Sequence, residues 1–304
     1  MMRSLYSAVA GLRAHQTRMD VIGNNIANVN TVGFKSSSVT FRDVLYQTIK
    51  NPTTPSDQSP IQGGTNPSQI GIGSKIASIN VLNTRAGAQT TDRPMDCYID
   101  GEGYFKVQSG EAPNIVEYYT RVGDFNIDSL GRLVDGMGNF VMGINATDGV
   151  LDQDPDPTTG AYQAGVDDEV INLNGTDSVD GAYTQGHYSQ ISIGNDGLIS
   201  AYDSTAGGIV TLGRIAVYKF PNNDGLSQAG NTYLQVTANS GDPTMAVPGL
   251  VGTGKVQTDG LEMSNVELAK EFTDMIITER GFQANSRVIT TSDEMLQELV
   301  NLKR

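Results

Sequence analysis

The chain has 304 residues, 18% of them charged, with 35 Gly, one Cys, no Trp and a formal net charge of -14. Charged residues fall below the roughly 25% of ordinary soluble domains, so the surface leans on Asn, Gln, Ser and Thr. The length suits one large domain or two ordinary ones, and the lone cysteine excludes an internal disulfide framework.

Charge is unevenly placed: residues 1–50 sum to +4, residues 51–264 to -16 and residues 265–304 to -2. The acidic middle repels phosphate backbones, and the scattered basic residues of the first fifty form no block, so a nucleic-acid partner is not expected. No run approaches the ~18 apolar residues of a membrane span, and membrane insertion is not expected either.

In chain order, residues 1–35 come first as a helix. Leu5, Ala8, Leu12, His15, Met19, Ile22, Ile26 and Val29 recur at alternating steps of three and four, an apolar seam with one polar member. Ser4 is placed to cap it, and the run reaches Thr31. Arg13 and Arg18 interrupt any secretory apolar region, so no cleaved leader is expected. The last turns hold Asn24, Asn25, Asn28 and Asn30, residues that compete with helix hydrogen bonds and favour caps and turns. Gly11, Gly23 and, near the other end, Gly281 each cost about 1 kcal/mol in a helix interior, so such helices need packing partners.

Residues 36–94 are expected as an extended connector, with four Pro within 50–74. A β domain is expected over 95–145 and 190–260, interrupted by a loose insertion over 146–189. Residues 99–107 read as strand, turn, strand, and 124–135 and 190–203 echo one another as strand, Gly-containing turn, strand. The Asn195-Asp196-Gly197 turn is a strong hairpin signal. Short strands at this spacing predict an antiparallel barrel or sandwich. Residues 261–304 return to helix: Ser264 and Glu267 fit a capping box, and Leu268, Phe272, Met275, Glu279, Phe282, Ser286, Ile289, Asp293 and Leu296 continue the three-four spacing with three polar interruptions. Lys303 and Arg304 suit a helix C-terminus. The fold class is therefore α+β, with terminal helices paired as a coiled coil around a β middle.

Candidate chemistry is sparse. Asp152, Asp154 and Asp156 imitate the start of a calcium loop, but the sixth and twelfth positions are Pro157 and Gln163 rather than Gly and Glu. His15 and His187 lack partners at ligand spacing, so a zinc-type site is not expected. Cys97 reads as a small half-buried thiol, and the Asp167-Asp168 pair as a chance result of an acidic composition. No catalytic, cofactor or metal residues are assigned, and the chain is not expected to be an enzyme.

The sequence "GNNIANVNTVGFK" (23–35) has an Asn-Asn-aliphatic-Ala-Asn core followed by Thr, Gly-Phe and a basic residue. It closely resembles the N-terminal signature of the bacterial flagellar rod and hook proteins. Residues 261–302 resemble the terminal helix of that family, and "MDCYIDGEGYFKV" (95–107) the entry to its β domain, with Cys97 where a hydrophobic residue is usual. The resemblance implies a self-assembling hollow tube, its terminal helices packed near the axis around an export channel and its β domains outside. On that reading Leu5, Leu12, Met19, Ile22, Ile26, Leu268, Phe272, Met275, Phe282, Ile289 and Leu296 form the assembly seam, while Asn24, Asn25 and Asn28 fix register against neighbours. The implied partners are copies of the chain, rod, hook cap and hook–filament junction proteins, and the flagellar export apparatus, at an extracellular flagellum. Among family members, the insertion and the ending "LVNLKR" look most like a hook subunit transmitting torque. By contrast "FRDVLYQTIKNP" (41–52) resembles the distal rod subunit, in which such a segment helps to stiffen the assembly. A secreted β-rich binding module is the alternative of another class.

Overall fold

A computed structural model describes residues 2–55, 63–110, 115–147, 150–151, 162, 168–173, 188–203 and 207–302. Asp152, Asp154 and Asp156, which only imitate a calcium loop, and Asp167, His187, Lys303 and Arg304 lie outside them. The chain divides into two compact units, one of residues 1–29, 36–82 and 266–304, the other of residues 30–35 and 83–265.

The first unit holds two long helices and a β ribbon. Helix α1 spans Met2–Ala27 and α2 spans Leu268–Asn301. Strand β1 (Ser37–Asp43) pairs antiparallel with β4 (Ser74–Val81), and β2 (Tyr46–Lys50) with β3 (Ser68–Gly71). A further bridge joins Thr53 to Thr65, so the pairing nests into one ribbon whose register shifts at Thr40/Phe41 and again at Thr48/Lys50. The stretch expected as an extended connector therefore carries a ladder. Its Pro residues inside the ribbon, Pro52, Pro55 and Pro67, lie outside the strands, as a ladder lacking their N–H groups requires.

Two expected caps differ. Ser4 lies inside α1, which begins at Met2. At the other helix Glu267, not Ser264, occupies the cap position, without a side-chain bond to the backbone. The reason is that the chain just before it is already engaged: Asn265 donates its backbone N–H to Phe34 and its side-chain amide to Thr84. Helix geometry therefore starts after those bonds.

The second unit is built of antiparallel β strands, with one short 3-10 turn at Asn223–Gly225 among its described residues. One connected sheet runs, in spatial order, through Tyr188–Ile193, Leu198–Asp203, Gly208–Ile215, Phe140–Thr147, Phe105–Ser109, Val116–Thr120, Tyr233–Gln235 and Ser227–Gly230. Shorter pairs join Cys97–Asp100 to Lys255–Thr258, Val217–Lys219 to Thr244–Ala246, and Ala88–Thr90 to Gly260–Glu262. The arrangement is sandwich-like; among the described residues no sheet closes into a barrel. The two predicted echoes are hairpins: Phe125–Ile127 pairs with Leu133–Asp135, and Tyr188–Ile193 with Leu198–Asp203. Gly197 turns the second with φ +74, and a Cβ there would lie 2.5 Å from the Ile215 carbonyl oxygen, so a side chain is excluded twice over. By contrast, the predicted strands around Gly101 and Gly103 do not pair with each other but with separate partners.

Alternation explains the core. Phe105 and Val107 enter one cluster with Ile99, Phe125, Leu133 and Val141, while Tyr104 faces a second with Tyr119, Tyr218 and Phe220 packed edge to face. A strand buried on both faces marks the middle of a layered structure. Cys97 is fully buried, not half-buried as expected, and burial, then the neighbouring Asp96, pushes its thiol pKa far up. Burial thus disfavours the thiolate that a nucleophile would need.

Candidate assembly surface

The two helices of the first unit pair antiparallel. Arg18 on α1 holds Asp274 on α2 at 3.0 Å, a Cβ on Gly281 would lie 2.6 Å from the His15 ring, and one on Gly11 would lie 2.7 Å from the Asn285 amide. Three side-chain choices thus define the line of contact, and none is a large aliphatic. On α1, Ala8, Gly11, Ala14, Ile22 and Asn25 are buried. On α2 the buried residues are Glu271, Thr278 and Ser292, all polar. Thr278 and Ser292 are satisfied within the helix, donating to the Asp274 and Val288 carbonyls at 2.6 and 2.7 Å. Small side chains let the backbones approach, and the polar ones bond locally.

The large apolar side chains therefore face elsewhere. Phe272, Ile276 and Ile277 on α2 are 51%, 57% and 55% exposed. Of the residues expected as a seam, Leu5, Leu12, Met19, Ile26, Met275, Ile289 and Leu296 are half-buried, Ile22 is buried, and Leu268, Phe272 and Phe282 are exposed. The structure buries Ile22 and leaves the other seam residues half-buried or exposed. Sequence reasoning missed the contact line itself, Gly11, Arg18, Asp274, Thr278, Gly281 and Asn285. Its signal was a run of small or polar residues at three-four spacing, which a search for apolar periodicity passes over.

The ribbon adds a second exposed apolar surface. Leu45, Tyr46 and Ile49 on one edge, with Ile70 and Ile72 on the other, are exposed, and every residue of β2 and β3 is exposed. A two-stranded ribbon is marginal in water without support. Its base is supported by α1, where Phe41 lies 5.8 Å from the His15 ring and beneath the Arg18 guanidinium at 5.7 Å. Tyr46 pairs with Gly71 and Gln47 with Ile70, so the exposed apolar side chains are shared between the two faces of the ribbon.

The asparagines divide by role. Asn25, 1% exposed, exchanges two bonds with Ser37, its amide donating to the carbonyl at 2.9 Å and its oxygen accepting the N–H at 3.0 Å. It fastens the end of α1 to the start of β1, as no aliphatic could. The Asn28 amide donates to the Asn24 carbonyl and side-chain oxygen, closing the last helical turn, and Asn24 is exposed.

In the second unit, the two chain segments that lead toward the helices meet at Glu262. This carboxylate is 2% exposed and accepts from Lys35 Nζ at 2.6 Å, from the Ala86 N–H at 3.2 Å and from Arg121 at 3.3 Å. Its backbone carbonyl receives the Gly33 N–H at 2.8 Å. Burial lowers the Lys35 pKa, and the bond to Glu262 opposes that shift. Among the described residues no group of three His, Cys, Asp or Glu could hold a metal ion.

Comparison with known proteins matches these parts in order. Residues 5–35 match the family described as flagella basal body rod protein, residues 98–201 the flagellar hook protein FlgE/F/G D1 domain, and residues 258–302 the flagellar basal body rod FlgEFG protein C-terminal region. The flagellar basal-body rod protein FlgG of Bacillus subtilis (strain 168) is 42% identical over 305 residues, covering the whole of both chains. The chain belongs to the flagellar rod and hook family. Within that family it is 33% identical to FlgG and 31% identical to the flagellar hook protein FlgE of Borreliella burgdorferi, again over the full length of both chains. It is a structural subunit of the flagellar axis and not an enzyme, and the reading as a secreted β-rich binding module falls with the family assignment.

Proposed function

We propose that this chain is a rod-type axial subunit that polymerises with copies of itself into a hollow tube of the flagellar basal body. The observation that carries the reading is length. The rod relative from Bacillus subtilis aligns over 305 positions, whereas the hook relatives from Borreliella burgdorferi and Treponema pallidum align over 450 and 472. Those hook proteins therefore carry long segments with no counterpart among the 304 residues here. The hook expectation rested on the insertion between β segments and the ending "LVNLKR", and the shared length with the rod relatives supports the rod reading over it. The ribbon, which includes the stretch resembling the stiffening segment of the distal rod, supports the same choice.

In this reading the exposed apolar flanks of α1 and α2 and the ribbon pack against neighbouring copies. Slippage of such flanks exposes about 25 cal/mol per Å² of apolar surface, so the wall resists shear. Leu5, Leu12, Met19, Ile26, Leu268, Phe272, Met275, Phe282, Ile289 and Leu296 form the intersubunit surface, and Asn24 and Asn28 are placed to bond to neighbours. Partners at the tube's ends are other rod and hook-side proteins, hook cap and junction proteins acting above them, and the flagellar export apparatus delivers the subunit to an extracytoplasmic site. Electron microscopy of polymer grown from the full chain tests the choice. Straight, rigid tubes are expected; tubes that supercoil or bend smoothly would return the chain to the hook class.

A further inference from the structure

The helix pair contains a reciprocal arrangement of glycines and polar side chains. On α1, Gly11 and His15 lie four residues apart; on α2, Gly281 and Asn285 do the same. Because the helices run antiparallel, each glycine receives the other helix's polar side chain: Asn285 over Gly11 and the His15 ring over Gly281. Residues four apart share a helix face, so the two notches interlock and set register. The two polar side chains differ in one respect: a histidine can change its charge near neutral pH.

The seat of His15 suits the neutral ring. Its Nδ1 is buried and has no hydrogen-bond partner among the described residues, so a second N–H gained on protonation finds no acceptor there. The groups facing it are as follows. From its own helix comes the Arg18 guanidinium. From α2 comes the Gly281 backbone, while Asp274 on the same helix pairs with Arg18 at 3.0 Å. Flanking Gly281, Glu279 and Arg280 are exposed and tied to Gln283. From β1 comes the uncharged Phe41 ring, followed by exposed Arg42 and Asp43.

We propose that His15 is a proton-sensitive latch of the α1–α2 pair, its neutral ring locking the helices in register through the Gly281 notch and its protonation releasing them. Burial first, and the Arg18 charge second, hold its pKa below the ordinary 6.5. The separated helix therefore takes up a proton at a higher pH than the paired one. Pairing is at full strength above about pH 6.5 and weakens as the pH falls below it. Each unit of difference between the two midpoints is worth about tenfold in the pairing equilibrium. The latch is a property of the chain's own helices and does not rest on the choice between rod and hook.

Spin labels on Q16C and S286C, two exposed positions on facing helices, report the paired population in the dilute full-length chain. Between about pH 7.5 and 5.5 the population is expected to fall with His15 present and to stay flat in H15Q. A fall of equal size in H15Q, or none with His15 present, overturns the latch. If H15Q leaves the helices unpaired even at neutral pH, the ring-proton NMR titration of His15 in an H187N background decides. A midpoint below 6.5 supports the latch, and one at or above it overturns it.

Discussion

Two residues concentrate the energetics of this chain in ways their side-chain chemistry dictates. Glu262 is buried with two cations and a backbone N–H on its carboxylate, so removing its charge leaves Lys35 and Arg121 buried without their anion. Breaking a buried pair in this way costs roughly 3–5 kcal/mol. E262Q is therefore expected to lower the denaturant midpoint of the β unit sharply while hardly changing its m-value. Gly281 makes the opposite test. Replacing an interior helical glycine by alanine ordinarily gains about 1 kcal/mol, but here the new Cβ would lie 2.6 Å from the His15 ring. G281A is expected to weaken helix pairing, and to strengthen it in an H15A background, as a double-mutant cycle on helical circular dichroism would register.

At the scale of elements, the helices and the ribbon present apolar surface outward. Phe272 is 51% exposed, so F272D removes little from the folded chain, within about 0.5 kcal/mol. The same change buries a charge if Phe272 meets a neighbour in the tube. Sedimentation is expected to show loss of polymer with an unchanged melt; normal polymerisation would remove Phe272 from the interface. For the ribbon, Val44 donates to the Gly73 carbonyl at 2.9 Å, so the two are close enough to be joined by an Asn-Gly turn in place of residues 45–72. The shortened chain is expected to keep its helix pair and β unit and to form tubes that bend more readily in electron micrographs. Helix existence and the hairpin at 190–203 were legible in the sequence, because apolar periodicity and an Asn-Asp-Gly turn are local signals. The ribbon was not, since proline-rich spacing hides a ladder whose partners lie up to 44 positions apart, as Ser37 and Val81 do.

For the molecule as a whole, division into a helix-and-ribbon unit and a β unit separates two jobs. The β unit has its own core of Phe105, Phe125, Leu133 and Ile215, each fully buried, and needs no further surface to be stable. A chain lacking residues 1–29 and 266–304 is expected to retain a cooperative strand melt and to lose polymerisation altogether. Tubes formed by such a chain would move the assembly surface onto the β unit.

Local chemistry is what the amino-acid order carried by itself: two amphipathic ends, an asparagine-rich helix terminus, an acidic β middle and a family signature at both ends. Which face of each helix turns inward was decided by tertiary structure alone. Periodicity marks large apolar side chains, yet the helices meet where Gly11, Gly281 and the short polar side chains allow the closest approach, and so most of the apolar stripes are left half-buried or exposed. The same holds for Lys35, Arg121 and Glu262, scattered over more than two hundred positions. A buried charge is tolerable solely where its counter-charges converge, and convergence is a fact of the folded chain.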